Sequence, residues 1–205
     1  TISTSQPGNI PSQNSSGSHS CASYDLNQKH YLERGIQEEF NQSYLNSAQA
    51  MANYYAPKTS GVNEISIIFH VVHNPNNPAE NVSDALIMSV YDDVVEDYQA
   101  MNLGAVRPMF TAGIADANIN FCLATQDPTG APLGTPGIIR VSTTEDWFDS
   151  SNGEENKMKS SATGGSQIWN RNNYLNVWIC DISDTATFGT AGYAYRPSTS
   201  FLPGA

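Results

Sequence analysis

The chain has 205 residues, which is enough for one domain with a core of its own and an appended segment. It has 9 Lys and Arg residues and 20 Asp and Glu residues, which gives a formal net charge of −11. This charge argues against nucleic acid and anionic membrane surfaces as partners. No stretch approaches the roughly 20 apolar residues of a membrane span. The Asn- and Ser-rich composition favours a secreted, extracellular protein.

The first 60 residues differ in composition from the rest of the chain. Residues 1–20 are rich in Ser, Asn, Gln, Gly and Pro, which predicts a tail or an extended arm. From Gln28 to Tyr55, apolar residues recur every three or four positions and predict a helix, although Gly35 weakens its middle. Pro57 to Asn63 predicts a linker, so we place a boundary near residue 60. The apolar stripe of the helix consists of Leu32, Ile36, Phe40, Tyr44, Ala48 and Met51.

The remaining residues alternate between strand and helix patterns, which predicts an α/β fold with a twisted mixed sheet and a backing helix. Glu64 to His73 is apolar on both faces and predicts a central strand. Ser83 is a good N-cap for a helix that runs to about Met101, with Leu86, Ile87, Val90, Val94 and Val95 as its buried face. Residues 145–166 are polar and Gly-rich and predict a surface excursion. Further strands are predicted at Asn118–Ala124, Gly137–Ser142, Tyr174–Asp181 and, as an edge strand, Gly189–Tyr195.

The residues give little direct evidence of chemistry. His70 and His73 are three apart on a strand, so they point to opposite faces, and we expect packed or hydrogen-bonded imidazoles. There is no G-x-S-x-G motif, and Gly164-Gly165-Ser166 is more simply a flexible turn. Asp181 and Asp184 flank a loop and could hold Ca²⁺ together with backbone carbonyls. With three cysteines, at least one is unpaired within the chain, and pairing of Cys122 with Cys180 stays open.

The order of the segments resembles a known family. Ile67 to His73 looks like the first strand of the pappalysin (cytophagalysin, ulilysin-like) family of secreted metzincin zinc peptidases. Later segments match the family in the same order over residues 65–197. The resemblance implies a pro-segment over 1–60 (extended arm, then helix) and, over 61–205, a metzincin-like upper subdomain that is incomplete at its C-terminus. The matching segments include Val82–Ile87, Ile119–Ala124, Asp127–Gly130, Tyr174–Cys180 and Ala191–Ala194.

The resemblance also implies a function and its residues. The family binds zinc through H-E-x-x-H-x-x-G-x-x-H, whose Glu is the general base for the zinc-bound water, and we expect this motif downstream of Ala205. The chain alone is then inactive, and its expected partners are a protein or peptide substrate and the C-terminal half of the same protein. Cys21 corresponds to a zinc-blocking ligand of the pro-segment, although Ala22 stands where the family has Gly. The resemblance assigns main-chain binding of substrate to Gly192, Tyr193 and Ala194.

One alternative stays open at this point. A secreted, non-catalytic binding or adhesion module could reuse the same sheet without a zinc site. An H-E-x-x-H motif within a few dozen residues after Ala205 would distinguish the peptidase zymogen from such a module.

Overall fold

A computed structural model of the chain describes residues 20–21, 63–149, 154–183 and 190–195, together with single positions at 32, 35, 38 and 42. Within these ranges, no helix is both long enough and apolar enough to cross a membrane.

A parallel sheet is built around one long central strand. Strand β2 spans Asn63–His73, and residues 67–72 are all buried, which confirms the prediction from its apolar run. The three strands that pair with β2 are all parallel to it: β3 (Ile119–Leu123), β4 (Ile138–Ser142) and β6 (Tyr174–Ile179). Isolated antiparallel bridges occur only locally among the described residues, as between Gln126 and Pro132.

Two strands share one edge of β2. Strand β3 pairs with residues 63–67 and β4 with residues 69–73, whereas β6 pairs with residues 66–71 and so occupies the opposite edge. The changeover from β3 to β4 uses Gly137, whose φ of 73° is in the left-handed region. A Cβ at Gly137 would also lie 2.5 Å from Leu123 Cδ2, so only glycine fits there without a shift.

Helix α1 spans Asp84–Tyr98 and packs on one face of the sheet. Ser83 caps it, since its hydroxyl accepts a hydrogen bond from Leu86 N at 3.3 Å, as predicted. The predicted buried face is partly wrong: Ile87 is 1% exposed, but Leu86 and Val90 are 56% and 49% exposed. Tyr91, Val94 and Val95 pack against the core together with Ile87, because these positions lie on one stripe and Leu86 and Val90 lie on its flank. A short helix α2 follows at Pro108–Thr111.

The opposite face of the sheet is covered by residues 148–149 and 154–169. Ile67, Phe69 and Val71 face α1, whereas the alternate residues of β2 face Phe148, Met158 and Trp169. The prediction of a surface excursion over 145–166 is therefore wrong for the buried part of the described residues, which forms a second layer, whereas residues 145–147 and 161–163 are exposed as predicted. Its elements are a short strand β5 (Phe148–Asp149) and 3-10 turns at Lys157–Lys159 and Ser161–Thr163, and β5 pairs in parallel with β7 (Ile182–Ser183).

The N-terminal region is described at few positions. The predicted helix over Gln28–Tyr55 and the boundary near residue 60 lie almost wholly outside the described residues. Gly35 has a φ of 67°, so a single right-handed helix does not run through it. Ser20–Cys21 form strand β1, which pairs in parallel with β8 (Thr190–Gly192).

Candidate functional site

The first part of the site is the predicted edge strand. Its regular strand, β8, covers only Thr190–Gly192 of the predicted Gly189–Tyr195, and Tyr193 to Tyr195 continue without strand pairing. The partner of β8 is β1, with Ser20 opposite Thr190 and Cys21 opposite Gly192 across an irregularity in register. The N-terminal arm therefore occupies the strand to which the resemblance assigns substrate. A Cβ built at Gly192 would meet no atom within 4 Å, so that position is open.

Two tyrosines anchor the residues after β8. The Tyr193 hydroxyl donates to the carbonyl of Glu155 and lies 3.6 Å from Met158 Sδ. The Tyr195 hydroxyl lies 3.4 Å from Asn156 Oδ1, and the two tyrosine rings meet edge to face at 5.8 Å. Burial raises the pKa of Tyr193, so this phenol stays protonated and acts as a donor. Tyr193 therefore contributes an inward anchor, while the Ala194 side chain is exposed.

Beneath the tyrosines lies a buried lysine. Lys159 is 7% exposed, and its Nζ is 4.0 Å from the ring centroid of Tyr195, 5.3 Å from that of Tyr193 and 5.7 Å from that of Trp178. Such distances allow an ammonium to be attracted by the faces of aromatic rings. Burial lowers the pKa of Lys159 to about 7, and the charge of Glu155 opposes this shift. Glu155 is itself 1% exposed, although a run of carboxylates such as Glu154-Glu155 is normally a solvated face.

A Ser-His-Asn arrangement lies deeper in the same layer. His70 Nδ1 is 2.8 Å from Ser166 Oγ, and His70 Nε2 is 3.0 Å from Asn176 Oδ1. The Asn176 amide oxygen also accepts from Trp169 N, so we assign the proton to His70 Nε2 and the role of acceptor to Nδ1. Burial lowers the pKa of His70 to about 4, which keeps the ring neutral.

This arrangement is structural. Ser166 is 2% exposed and His70 fully buried, so no substrate carbonyl reaches the serine hydroxyl. The His70 ring stacks on Trp178 at 4.8 Å, and the Trp178 indole N–H donates to the Ser166 carbonyl at 3.0 Å. The prediction of a packed, hydrogen-bonded imidazole is confirmed for His70. The prediction of a flexible turn at Gly164-Gly165-Ser166 is wrong, because a Cβ at Gly165 would lie 2.2 Å from the Met158 carbonyl oxygen.

The predicted calcium pair is only half described. Asp181 lines a cavity of about 340 Å³ together with Asn77 and Glu80, whereas Asp184 lies outside the described residues. The pKa of Asp181 is raised, first by burial and then by the charge of Glu80. Both carboxylate oxygens of Glu80 already accept hydrogen bonds, from Asn74 N at 2.7 Å and from Asn77 Nδ2 at 2.8 Å. Calcium binding at Asp181 and Asp184 stays a prediction.

The described residues contain neither a preformed metal site nor a bond between Cys122 and Cys180. Across the described ranges, no group of three or more His, Cys, Asp or Glu side chains is placed to hold a metal ion. The described residues therefore do not form a zinc site by themselves. The side chain of Cys21, the predicted zinc-blocking ligand, is not among the described side chains. Cys122 and Cys180 are free thiols rather than a disulfide, and burial raises the pKa of Cys180 to about 12.

Lys159 and Glu155 were missed as site residues. They stand in the mostly polar run from Glu154 to Lys159, and such a run normally marks a solvated surface. The only signals in the sequence are the apolar Met158 inside the run and the Gly pair that follows it. Neither signal identifies the aromatic rings that enclose Lys159, because these come from residues 178–195.

The fold is of the metzincin-like α/β kind. Solved structures of mirolysin, a metallopeptidase, are similar to it. Mirolysin in complex with compound 9 is 36% identical with a TM-score of 0.54, and the match covers 60% of this chain and 44% of that one. Mature Tannerella forsythia mirolysin in complex with a cleaved peptide is 36% identical with a TM-score of 0.51, covering 58% and 43%.

A zymogen form matches more of the chain. A mutant of Tannerella forsythia promirolysin is 27% identical with a TM-score of 0.58, and the match covers 87% of this chain and 62% of that one. The chain thus spans 43% to 62% of the length of these three structures. No protein-family model matches the chain, and no curated protein matches it. The likeness supports a portion of a metallopeptidase zymogen.

Proposed function

We propose that this chain is the N-terminal portion of a secreted zinc metalloendopeptidase zymogen of the pappalysin type. In this proposal, residues 1–60 form the pro-segment and residues 61–205 the upper subdomain, which provides one wall of the substrate cleft. The observation that carries the proposal is the pairing of Ser20–Cys21 with Thr190–Gly192.

That pairing supports latency by direct competition. An edge strand has a single row of free N–H and C=O groups, and an extended substrate would use this row by adding a strand. While β1 is paired with β8, the same groups are not available to a peptide. Cleavage or release of the arm would expose main-chain groups at Thr190–Gly192, next to Tyr193, whose side chain is anchored inward.

The comparisons support a pro-segment as well. The matches to mirolysin cover 58% and 60% of the chain, whereas the match to promirolysin covers 87%. Residues 61–205 amount to about seven tenths of the sequence, so the longer match must extend into the first 60 residues. This is the behaviour expected of a chain whose N-terminal part corresponds to a pro-segment.

The zinc ligands of the proposed peptidase lie outside the described residues. We place its ligands in an H-E-x-x-H-x-x-G-x-x-H motif after Ala205, and when bound the ion would supply a polarised water for peptide hydrolysis. The main chain of Cys21 pairs with Gly192 on the proposed cleft strand, and a thiolate is a strong zinc ligand. The residues of this chain would bind and orient substrate through its main chain, so they would set little side-chain specificity themselves.

The test uses the complete protein, with the residues that follow Ala205. We expect zinc by elemental analysis, peptide hydrolysis after removal of residues 1–60, and loss of that activity with a chelator. The Cys21→Ala zymogen should gain part of the activity of the processed enzyme, because the thiol is lost while the main chain of β1 still pairs with β8, whereas Cys122→Ala, which removes a thiol on β3, should stay latent. A processed protein without zinc or hydrolysis would refute the peptidase, and a latent Cys21→Ala zymogen would refute the role of Cys21.

A further inference from the structure

We propose that Lys159 is a positioning residue for the substrate-binding edge. Its ammonium joins the central sheet to the residues that follow β8 and holds the main chain at Gly192–Ala194 where a peptide can pair with it. This inference rests on the proposed function, since it concerns how that edge is held in place.

The strand that pairs with this edge is part of the proposed pro-segment. Strand β8 has only three residues, and the described strand that pairs with it is β1, which belongs to the arm that the proposal removes. After removal of the arm, the inward side chains of Tyr193 and Tyr195 are among the contacts that hold the extended chain. They alternate with Ala194, whose side chain is exposed, as expected for a backbone with one face toward the core and one toward solvent.

Lys159 connects these tyrosines to a rigid part of the fold. Trp178 lies on β6, where its indole N–H donates to the Ser166 carbonyl and its ring stacks on His70. The Lys159 ammonium reaches the rings of Trp178, Tyr193 and Tyr195 from one position. A displacement of residues 193–195 would separate the ammonium from two of its three rings.

A lysine is an unfavourable residue if its only role is to fill space. Its burial lowers the pKa, so the charged form carries a desolvation cost that an apolar side chain of the same length would avoid. Methionine is such a side chain, but it would leave the buried Glu155 without the charge that faces it, so the comparison is made with Glu155→Gln in both proteins. In that background a space-filling role predicts no local change at residues 193–195 for Lys159→Met, whereas a positioning role predicts a local loss of protection.

The first experiment uses this chain and needs no catalysis. In the Glu155→Gln background, we expect Lys159→Met to raise hydrogen exchange at the amides of residues 193–195 about tenfold, while global stability to urea stays equal or rises. Lys159→Arg keeps a cation that can lie against the rings and should restore most of the protection. Lys157→Met in the same background is the matched control, because the Lys157 side chain is 42% exposed and pairs with the equally accessible Glu154 at 2.8 Å, and it should leave exchange at residues 193–195 unchanged.

The second experiment uses the processed, complete enzyme. We expect Lys159→Met to raise KM for a peptide about tenfold with kcat within about twofold of the wild type, since binding rather than chemistry is affected. Unchanged exchange at residues 193–195, or equal exchange in the Lys159→Arg and Lys159→Met chains, would overturn the positioning role. If the exchange results hold but no peptide is hydrolysed, it is the proposed function that fails.

Discussion

Gly165→Ala is the substitution for which the structure specifies the largest loss of stability in the second layer. A Cβ there would lie 2.2 Å from the Met158 carbonyl oxygen, 2.3 Å from its carbon and 2.6 Å from the Lys157 carbonyl oxygen. These are backbone atoms, so no side-chain rotation relieves the overlap. The turn at Lys157–Lys159 must move, and the hydrogen bond from Ser166 N to Met158 O, now 2.9 Å, is lost or stretched.

The expected cost follows from these two effects. Overpacking in a filled region costs about 1–3 kcal/mol and occasionally more, and the hydrogen bond adds about 1 kcal/mol. We therefore expect a loss of about 2–4 kcal/mol, which is a large part of the roughly 5–15 kcal/mol that stabilises a domain.

Urea unfolding followed by tryptophan fluorescence measures this loss. With a slope of about 2 kcal/mol per molar, the midpoint should fall by about 1–2 M. Gly134→Ala is the control, because a Cβ at Gly134 meets nothing within 4 Å and its φ is not in the left-handed region. If Gly165→Ala and Gly134→Ala have the same midpoint, residues 157–166 are not packed as described.

Two further expectations test other parts of the core. The pKa of His70 is lowered from 6.5 to about 4, so the unfolded chain binds more protons than the folded chain between these pH values. The stability that is fully present above pH 6.5 should therefore fall by about 3 kcal/mol as the pH decreases to 4. His70→Gln should lack this part of the pH dependence, and parallel unfolding curves for the two proteins would contradict it. Ile87→Ala should cost about 2–5 kcal/mol and Leu86→Ala less than about 1 kcal/mol, because only Ile87 is buried. Equal costs in thermal unfolding would contradict the orientation of α1.

The central strand and the start of α1 could be predicted because their signals are local. Six consecutive buried positions require a run that is apolar on both faces, and residues 67–72 supply one in which only His70 is polar. Ser83 caps α1 through an atom three residues away, so the sequence around it is sufficient. The exposed face of α1 is harder to predict from the sequence, because Leu86 and Val90 are as apolar as Ile87 and Val94. Which of the two stripes is buried depends on where the sheet lies.

The second layer could not be predicted because its stabilising contacts are not local. Lys159 is a surface residue by every local criterion, and it is buried here because Trp178, Tyr193 and Tyr195 enclose it. Gly165 lies in a segment whose composition is typical of a flexible turn, although the Met158 carbonyl leaves no room there for any Cβ and makes glycine necessary. A charged, Gly-rich segment becomes interior only when aromatic residues far along the chain fold over it.

The pairing of β1 with β8 also lies beyond local signals, and in the proposed zymogen it determines how latency ends. The arm is connected to β2 through residues 22–62, and such a tether keeps Ser20–Cys21 near β8 at an effective concentration on the order of millimolar. A free peptide with similar main-chain contacts must exceed that concentration to displace the arm. Cutting the tether lowers the concentration of the arm to that of the protein itself, which is far smaller. Latency of this kind responds to proteolysis of the arm rather than to the supply of substrate.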